Sequence, residues 1–184
     1  MRLVGQMVAL RPLRIEERLT FFRWATKSDA TPHWYGDWYG EEIPTYVVFK
    51  LDWPDHYFFD HQLHLGRCFG IEREGKLIGE INYNEVDPQE RSVNLDILIA
   101  KQIDMGKGFG TEAIQLLTSY LFENLAIQVC NIEVIAHNLR AIRAHRKAGY
   151  QVNHSFYRGK IKWMVLECRK ESLVHAPTPR VQVE

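Results

Sequence analysis

The most informative segment of this sequence is Met105-Gly106-Lys107-Gly108-Phe109-Gly110-Thr111-Glu112-Ala113. It lies where a predicted strand and loop lead into a predicted helix. Its alternating glycines let main-chain N–H groups approach a ligand closely, and the start of a helix adds unpaired N–H donors and a partial positive charge. The stretch therefore predicts a binding site for an anion such as a phosphate group.

The glycine spacing excludes two common phosphate-binding motifs. A dinucleotide-binding turn requires G-x-G-x-x-G directly after a parallel strand, whereas the spacing here is G-x-G-x-G and the preceding strands are predicted to be antiparallel. A P-loop requires G-x-x-x-x-G-K-[ST], which the sequence lacks. A glycine-rich helix start without any ligand stays open on this stretch alone.

Hydrophobic periodicity predicts the elements on either side of this stretch, although residues 31–64 show no regular pattern. The expected strands cover residues 7–11, 67–73, 77–86, 92–100, 131–136, 150–157 and 161–169. The expected helices cover residues 15–27, 108–124 and 138–148. This order predicts an α/β (α+β) fold, in which helices flank a mixed, mostly antiparallel sheet of about seven strands.

The composition is that of an ordinary globular protein. The 184 residues include 23 Lys+Arg and 23 Asp+Glu, so that charge alone favours neither a nucleic-acid nor a membrane partner. The N-terminus has no leader-like apolar segment, and the three cysteines form no C-x-x-C pair, which favours reduced thiols and a cytoplasmic protein. We expect one domain over residues 1–171 and a mobile tail over residues 172–184.

Two motifs resemble those of the GNAT acetyltransferase family. Residues 105–110 are similar to its Q/R-x-x-G-x-G/A motif in all but the first position, where Met105 stands. Residues 138–150 resemble its second motif, an N-x-x-A helix that ends in K-x-G-F/Y. The resemblance covers residues 7–169, and it is nearest to aminoglycoside 6'-N-acetyltransferases and ribosomal-protein alanine acetyltransferases.

The resemblance implies that acetyl-CoA binds in a V-shaped opening, where the fourth and fifth predicted strands splay apart. By matching position, the main chain of Leu98, Ile99 and Ala100 would contact the pantetheine arm and the acetyl group. The N–H groups of Lys107, Gly108, Gly110 and Thr111 would hold the pyrophosphate. Asn138 would contact the cofactor from the second motif.

Acetyl transfer to an amine requires a base, because an alkyl amine is mostly protonated at neutral pH. Asp96 is our candidate, since a similar Asp stands at the same distance from the glycines in aminoglycoside 6'-N-acetyltransferases; a salt-bridged surface Asp is the alternative. Many family members place a Tyr where this chain has His145, as the proton donor to the leaving thiolate. A His with a pKa near ~6.5 can also donate, although an outward-facing helical His is the alternative.

The irregular segment supplies the candidate substrate contacts. These are Trp34, Tyr35 and Asp37, with Tyr83 and Glu85 on a neighbouring strand. Aromatic faces and carboxylates suit a cationic substrate, while a rigid aromatic cluster beside a solvated acidic loop explains the same residues equally well. The spacing of His56, Asp60, His61 and His64 is a weak metal pattern, so we expect no metal site.

We therefore expect an acetyl-CoA-dependent N-acetyltransferase that acts on the primary amine of a small molecule. An aminoglycoside-like amino sugar or a polyamine is favoured, with antibiotic resistance as the implied role. Acetylation of a protein N-terminus or lysine stays open, as does a non-catalytic regulatory domain that binds acyl-CoA. We expect a monomer or homodimer without a nucleic-acid or membrane partner.

Overall fold

A computed structural model describes residues 1–35, 42–173 and 182–183, which form one mixed sheet flanked by helices. The strands are β1 (Leu3–Val4), β2 (Ala9–Pro12), β3 (Arg67–Arg73), β4 (Lys76–Asp87), β5 (Ser92–Ile99), β6 (Val129–Ile135), β7 (Gln151–Arg158), β8 (Ile161–Arg169) and β9 (Gln182–Val183). The α-helices are α1 (Arg18–Lys27), α2 (Tyr46–Asp52), α3 (Phe109–Asn124) and α4 (Leu139–Lys147). Short 3-10 helices cover Ile15–Glu17, Thr31–His33, Asp55–Phe58, Asp60–Leu65, Gln102–Asp104 and Lys170–Leu173.

The strand order across the sheet is β7-β8-β6-β5-β4-β3-β2-β1-β9. Within the described ranges every neighbouring pair is antiparallel except β5 and β6, which are parallel. These two strands pair only over Ser92–Asn94 and Val129–Asn131, so the rest of β5 has no partner on that side. The predicted mixed sheet and its splay between these two strands are confirmed.

The two faces of the sheet carry separate apolar clusters. Leu95 packs in the cluster that includes the buried face of α3, whereas Leu98 packs in the cluster that includes α1 and α2. Successive side chains of a strand point to opposite faces. Asp96 therefore lies on the α1 and α2 face, and Ile97 on the α3 face. The cysteines Cys68, Cys130 and Cys168 are free and buried, as expected.

Three elements were not expected from the sequence. β1 and β9 have only two residues each, which is too short to show a period, and α2 lies in the segment that gave no regular pattern. β9 pairs with β1 through Leu3–Val183 and Val4–Gln182, within the segment that was expected to be a mobile tail, and its mobility stays a prediction. The rest of that tail beyond residue 173 lies outside the described residues. Within the described parts of the chain, no helix is long and apolar enough to cross a bilayer.

The turn between β1 and β2 is fixed to the start of α3 by a single carboxylate. Glu112 accepts hydrogen bonds from the main-chain N–H groups of Gln6 at 2.9 Å, Met7 at 2.8 Å and Val8 at 2.7 Å. A side chain at Gly5 would lie 2.8 Å from the Glu112 Cδ, so this position requires glycine. The N-terminal turn is thereby held beside the glycine-rich stretch.

Candidate active site

The glycine-rich stretch forms the start of α3 in the way the sequence predicted. Gly108 is the N-cap residue in a left-handed conformation (φ 95°), and no side chain caps the helix. The first main-chain N–H groups of α3 have no partner within the helix, and Glu112 N is the first to bond, to Gly108 O at 3.0 Å. These uncapped donors, with the positive end of the helix dipole, form an anion site.

A cleft of about 590 Å³ opens in front of these donors. Gly106, Gly108, Gly110 and Thr111 line one side of it. Three cations of α4 line the other side: Arg140, Arg143 and Lys147. The cleft therefore fits a diphosphate and a further phosphate group. Lys107 is exposed and does not line the cleft, and the expected contact of its main-chain N–H group stays a prediction.

The main chain of β5 supplies polar groups to the same cleft. The Ala100 N–H donates to Ile78 O on β4 at 2.9 Å. Because hydrogen-bonded residue pairs alternate along antiparallel strands, the main-chain groups of Leu98 also bond to β4. The N–H and C=O groups of Ile97 and Ile99 then point to the side where β6 has diverged. The main-chain groups of Leu98 and Ala100 are therefore used within the sheet, whereas those of Ile99 and of Ile97, which was not expected, face the cleft. The expected cofactor contacts of Leu98, Ile99 and Ala100 stay predictions.

A second cavity, of about 370 Å³, lies beyond the end of this cleft. Four carboxylates line it, together with four aromatic side chains, and no Lys or Arg does so among the described residues. The carboxylates are those of Asp52, Glu85, Asp96 and Glu133. The aromatic side chains are those of Trp34, Tyr35, Trp53 and Tyr57. An acidic cavity with aromatic walls attracts cations through charge and through ring faces.

The two cavities meet at the splay. Six residues line both: His33, Trp34, Ile97, Asn138, Ala141 and His145. The Trp34 indole N–H donates to Ile97 O at 3.4 Å, and the Asn138 side chain caps α4 by accepting from Ala141 N at 3.2 Å. An elongated ligand that fills the cleft would thus place one end at the junction, next to a second molecule bound in the acidic cavity.

Asp96 faces the acidic cavity from β5, the strand beside the splay. Burial raises the pKa of Asp96 to about 6, and the negative charges of Glu85 and Glu133 contribute to this rise. The Asn84 amide, which donates to Asp96 Oδ2 at 2.7 Å, acts in the opposite direction and lowers the pKa. Asp96 is therefore ionised at neutral pH, yet it is a stronger base than an ordinary aspartate. A general base works best with a pKa near the operating pH.

His145 lies at the junction of the cavities, but its environment contradicts the expected proton donor. The side chain is 3% exposed, so it does not face outward, and burial lowers the pKa of His145 to about 4. The charged imidazolium is therefore scarce at neutral pH, and we do not assign His145 as the acid. Its Nδ1 has no hydrogen-bond partner, which leaves it available to a bound group.

The expected substrate contacts are only partly brought together. Trp34, Tyr35 and Glu85 line the acidic cavity, Glu85 from a bulge of β4 where its φ is 46°. Tyr83 is a correction: it is 1% exposed in the core below α3, and its hydroxyl donates to Leu63 O at 2.7 Å. It points to the opposite face of β4 from the cavity. Asp37 lies outside the described residues.

Two carboxylates and two aromatic side chains of the acidic cavity were missed by the sequence analysis: those of Asp52 and Glu133, and those of Trp53 and Tyr57. Glu133 alternates with buried Ile132 and Val134 on β6, so its outward position was predictable, but its approach to Asp96 was not. Among the described side chains, no group of three His, Cys, Asp or Glu is placed to hold a metal ion. The side chain of His61 lies outside that set.

Comparisons with known proteins bear on this geometry. The family model "Acetyltransferase (GNAT) domain" matches residues 8–151. Spermidine N(1)-acetyltransferase of Escherichia coli (strain K12) is 27% identical over 154 residues, which cover 82% of this chain and 78% of that protein. Aminoglycoside N(6')-acetyltransferase type 1 of Klebsiella pneumoniae is 36% identical over 67 residues, or 36% of this chain. That match spans only 32% of the aminoglycoside enzyme's length.

A solved structure shares the fold. AAC(6')-Ib in complex with ribostamycin and coenzyme A superposes with a TM-score of 0.77 at 20% identity, over 93% of this chain and 98% of that one. The family model covers well over half of the sequence and includes both glycine motifs. This chain therefore belongs to the GNAT acetyltransferase family.

Proposed function

We propose that the protein transfers the acetyl group of acetyl-CoA to a primary amine of a small molecule that carries two or more cationic nitrogens. An aminoglycoside-like amino sugar or a polyamine fits this description. The observation that carries the proposal is the acidic, aromatic cavity that opens onto a phosphate-binding cleft at the splay of β5 and β6. The relatives named above, which acetylate an aminoglycoside or spermidine, support the same class of acceptor.

The cleft suits coenzyme A at several points. The uncapped start of α3 at Gly108, Gly110 and Thr111 would bind the pyrophosphate, and the cations of α4 would bind the remaining phosphate. The main-chain groups of Ile97 and Ile99 would pair with the amides of the pantetheine arm. To do so, the arm displaces the Trp34 indole from Ile97 O.

The reaction then follows from what lies at the junction. Asp96 takes a proton from the substrate ammonium, and the freed nitrogen attacks the thioester carbon. The Ile97 N–H, which lies at the junction, would stabilise the negative oxygen that develops. The C–S bond then breaks, and the thiolate takes up the proton that the attacking nitrogen loses as it becomes an amide, so that coenzyme A leaves as the thiol. Neutral His145 would serve as a hydrogen-bond partner for the reacting groups through its unpaired Nδ1.

An acceptor panel tests this proposal. The protein is incubated with acetyl-CoA and kanamycin, spermidine or a peptide that begins with Ala, and the release of free thiol is followed. We expect turnover with kanamycin or spermidine and little with the peptide. Turnover with the peptide alone would favour protein acetylation, and binding of coenzyme A without turnover would favour a regulatory domain. The cytoplasmic antibiotic-resistance role stays a prediction that the kanamycin arm tests.

Arg158 competes with the acceptor for one of the carboxylates. Its Nη2 lies 3.2 Å from Glu133 Oε2, and its guanidinium lies 4.7 Å from the centre of the Trp163 ring. Arg158→Met keeps the apolar stem over Trp163 but frees Glu133 for a substrate ammonium. Because an exposed ion pair contributes about 0.2–1 kcal/mol, we expect the KM of a diamine or triamine to fall by up to about fivefold.

The matched control for this prediction is Arg169→Met. Arg169 is exposed to the same 51% as Arg158 and pairs with Glu167 instead of Glu133. Steady-state kinetics with the preferred acceptor and with a monoamine would be compared for both variants. An unchanged or higher KM for the polyvalent amine in Arg158→Met would show that Glu133 binds no substrate cation.

A further inference from the structure

A line of buried polar side chains runs along β4 away from Asp96. Glu80 and Asn82 are each 0% exposed, and Asn84 follows them on the same face of the strand. Asn82 stands directly opposite Asp96 on β5 in the sheet register. Glu80 does not line either cavity, so it contacts neither substrate directly. Burying a carboxyl group and an amide in an apolar layer is costly unless they are hydrogen-bonded.

The hydrogen bonds of these residues form one continuous ladder. The Asn84 amide uses one N–H on Asp96 Oδ2 at 2.7 Å and the other on Asn82 Oδ1 at 2.8 Å. The Asn82 amide in turn donates to Glu80 Oε2 at 3.3 Å. Both N–H groups of Asn84 are thus committed. Reversing the Asn84 amide would turn its oxygen toward those of Asp96 and Asn82, and reversing the Asn82 amide would turn its NH2 group toward that of Asn84. All the amides of the ladder therefore donate in one order, and Asn84 presents an N–H group to Asp96.

Glu80 stands at the far end of the ladder. Complete burial raises the pKa of Glu80 well above its usual value, the charge of Asp96 raises it further, and the hydrogen bonds with Cys68 and Asn82 oppose the rise. The raised pKa favours the uncharged carboxyl group, which adds no second negative charge beside Asp96. Among the described residues Glu80 Oε1 has no hydrogen-bond partner, and the side chain is held by its hydrogen bonds with Asn82 and Cys68.

We propose that Glu80, Asn82 and Asn84 are positioning residues, which hold the Asp96 carboxylate in place for proton removal from the amine. The inference rests on the proposed role of Asp96 as the base. The other titratable groups around Asp96 act on it in every variant alike. They are Asp52, Tyr57 and Glu85, with Glu133 on β6, His33 and His145 at the junction, and Cys68 on β3.

The pH profile of the reaction tests the ladder. Because the base must be ionised, kcat/KM should fall as the pH drops through the pKa of Asp96, which is about 6. Asn84→Leu removes the N–H donor that favours the ionised form of Asp96, so the midpoint of the pH profile of kcat/KM should rise by about one pH unit. Activity lost near neutral pH should then be recovered at higher pH, which damage to the fold would not produce.

Two substitutions at Glu80 separate its shape from its charge. Glu80→Gln keeps the neutral acceptor for Asn82, so the midpoint should stay at the wild-type value. Glu80→Met removes the acceptor and should raise the midpoint, as Asn84→Leu does. A lower midpoint in Glu80→Gln would mean that Glu80 acts as a charge and would overturn the ladder. Because Gln preserves the volume of Glu, this result is obtained even if the Met variant fails to fold.

A direct titration distinguishes this inference from the proposed function. In protein labelled with carboxyl-¹³C aspartate, the Asp96 resonance is identified by its absence from Asp96→Asn, and its pKa is read without turnover. Asn153→Leu is the control, since Asn153 donates to Glu167 Oε2 at 3.1 Å far from the site. An unchanged pKa of Asp96 in Asn84→Leu would refute the ladder. Full activity of Asp96→Asn would refute the role of Asp96 as the base and leave the ladder untouched.

Discussion

Asp96→Asn should lower kcat by about 10²–10⁴-fold while the affinity for coenzyme A stays unchanged. Asparagine keeps the volume of the side chain and can still accept a hydrogen bond from Asn84, but it cannot take a proton from the substrate ammonium. The cleft that we propose for coenzyme A lies on the other side of the junction and is not lined by Asp96. Steady-state kinetics with the preferred acceptor and calorimetry with coenzyme A measure the two effects.

Asp87→Asn is the matched control for this result. Asp87 ends β4, where its side chain accepts from the N–H groups of Gln89 and Glu90 in the turn before β5. Asparagine supports the same turn, so this variant should keep wild-type kinetics. If Asp96→Asn retained half of the wild-type kcat or more, Asp96 would not be the base, and deprotonation by solvent would have to be considered.

Glu112→Gln should lower the free energy of unfolding by about 2–4 kcal/mol. Its carboxylate satisfies three main-chain N–H groups at once, and the amide of Gln would direct N–H groups against at least one of these donors. Gln6 and Met7 also line the cleft, so loosening their turn should weaken coenzyme A binding. Chemical denaturation and calorimetry with coenzyme A measure the two changes.

Glu123→Gln provides the comparison on the same helix. Glu123 is exposed near the C-terminal end of α3, so removing its charge should change stability by no more than about 0.5 kcal/mol. Equal stability of the two variants would show that the carboxylate of Glu112 does not hold the N-terminal turn. A stable Glu112→Gln variant with weakened coenzyme A binding would confine its role to the cleft.

The phosphate-binding part of the site was predictable because it is local in sequence. Gly108, Gly110 and Thr111 lie within one helix start, and the N-cap role of Asn138 follows from its place before an amphipathic helix. The main-chain contact of Lys107 was carried over from the family motif and stays a prediction, because the exposure of the residue does not test it.

The main chain of β5 could be predicted only in part from the sequence. The sequence indicated that this strand borders the splay, and the splay is present. It did not indicate which residues bond to β4, because the alternation of hydrogen bonds depends on the register between two strands. In this register the main-chain groups of Ile97 and Ile99 face the cleft, whereas those of Leu98 and Ala100 form hydrogen bonds with β4.

The acidic cavity was the least predictable part. Asp52, Glu85 and Glu133 come from α2, the bulge of β4 and β6, so they meet only when the sheet is assembled. Tyr83 and Glu85 stand two residues apart on β4 and would share a face in a regular strand, but the bulge that follows Asn84 redirects Glu85 to the cavity while Tyr83 stays in the core.

The sequence by itself determined the order of the main elements and the anion site at the start of α3, because both depend on local periodicity and local main-chain geometry. Only the tertiary structure decided how the pKa values of Asp96, His145 and Glu80 are shifted. Their pKa values are set by burial and by neighbouring charges, and both depend on residues that are distant in the chain.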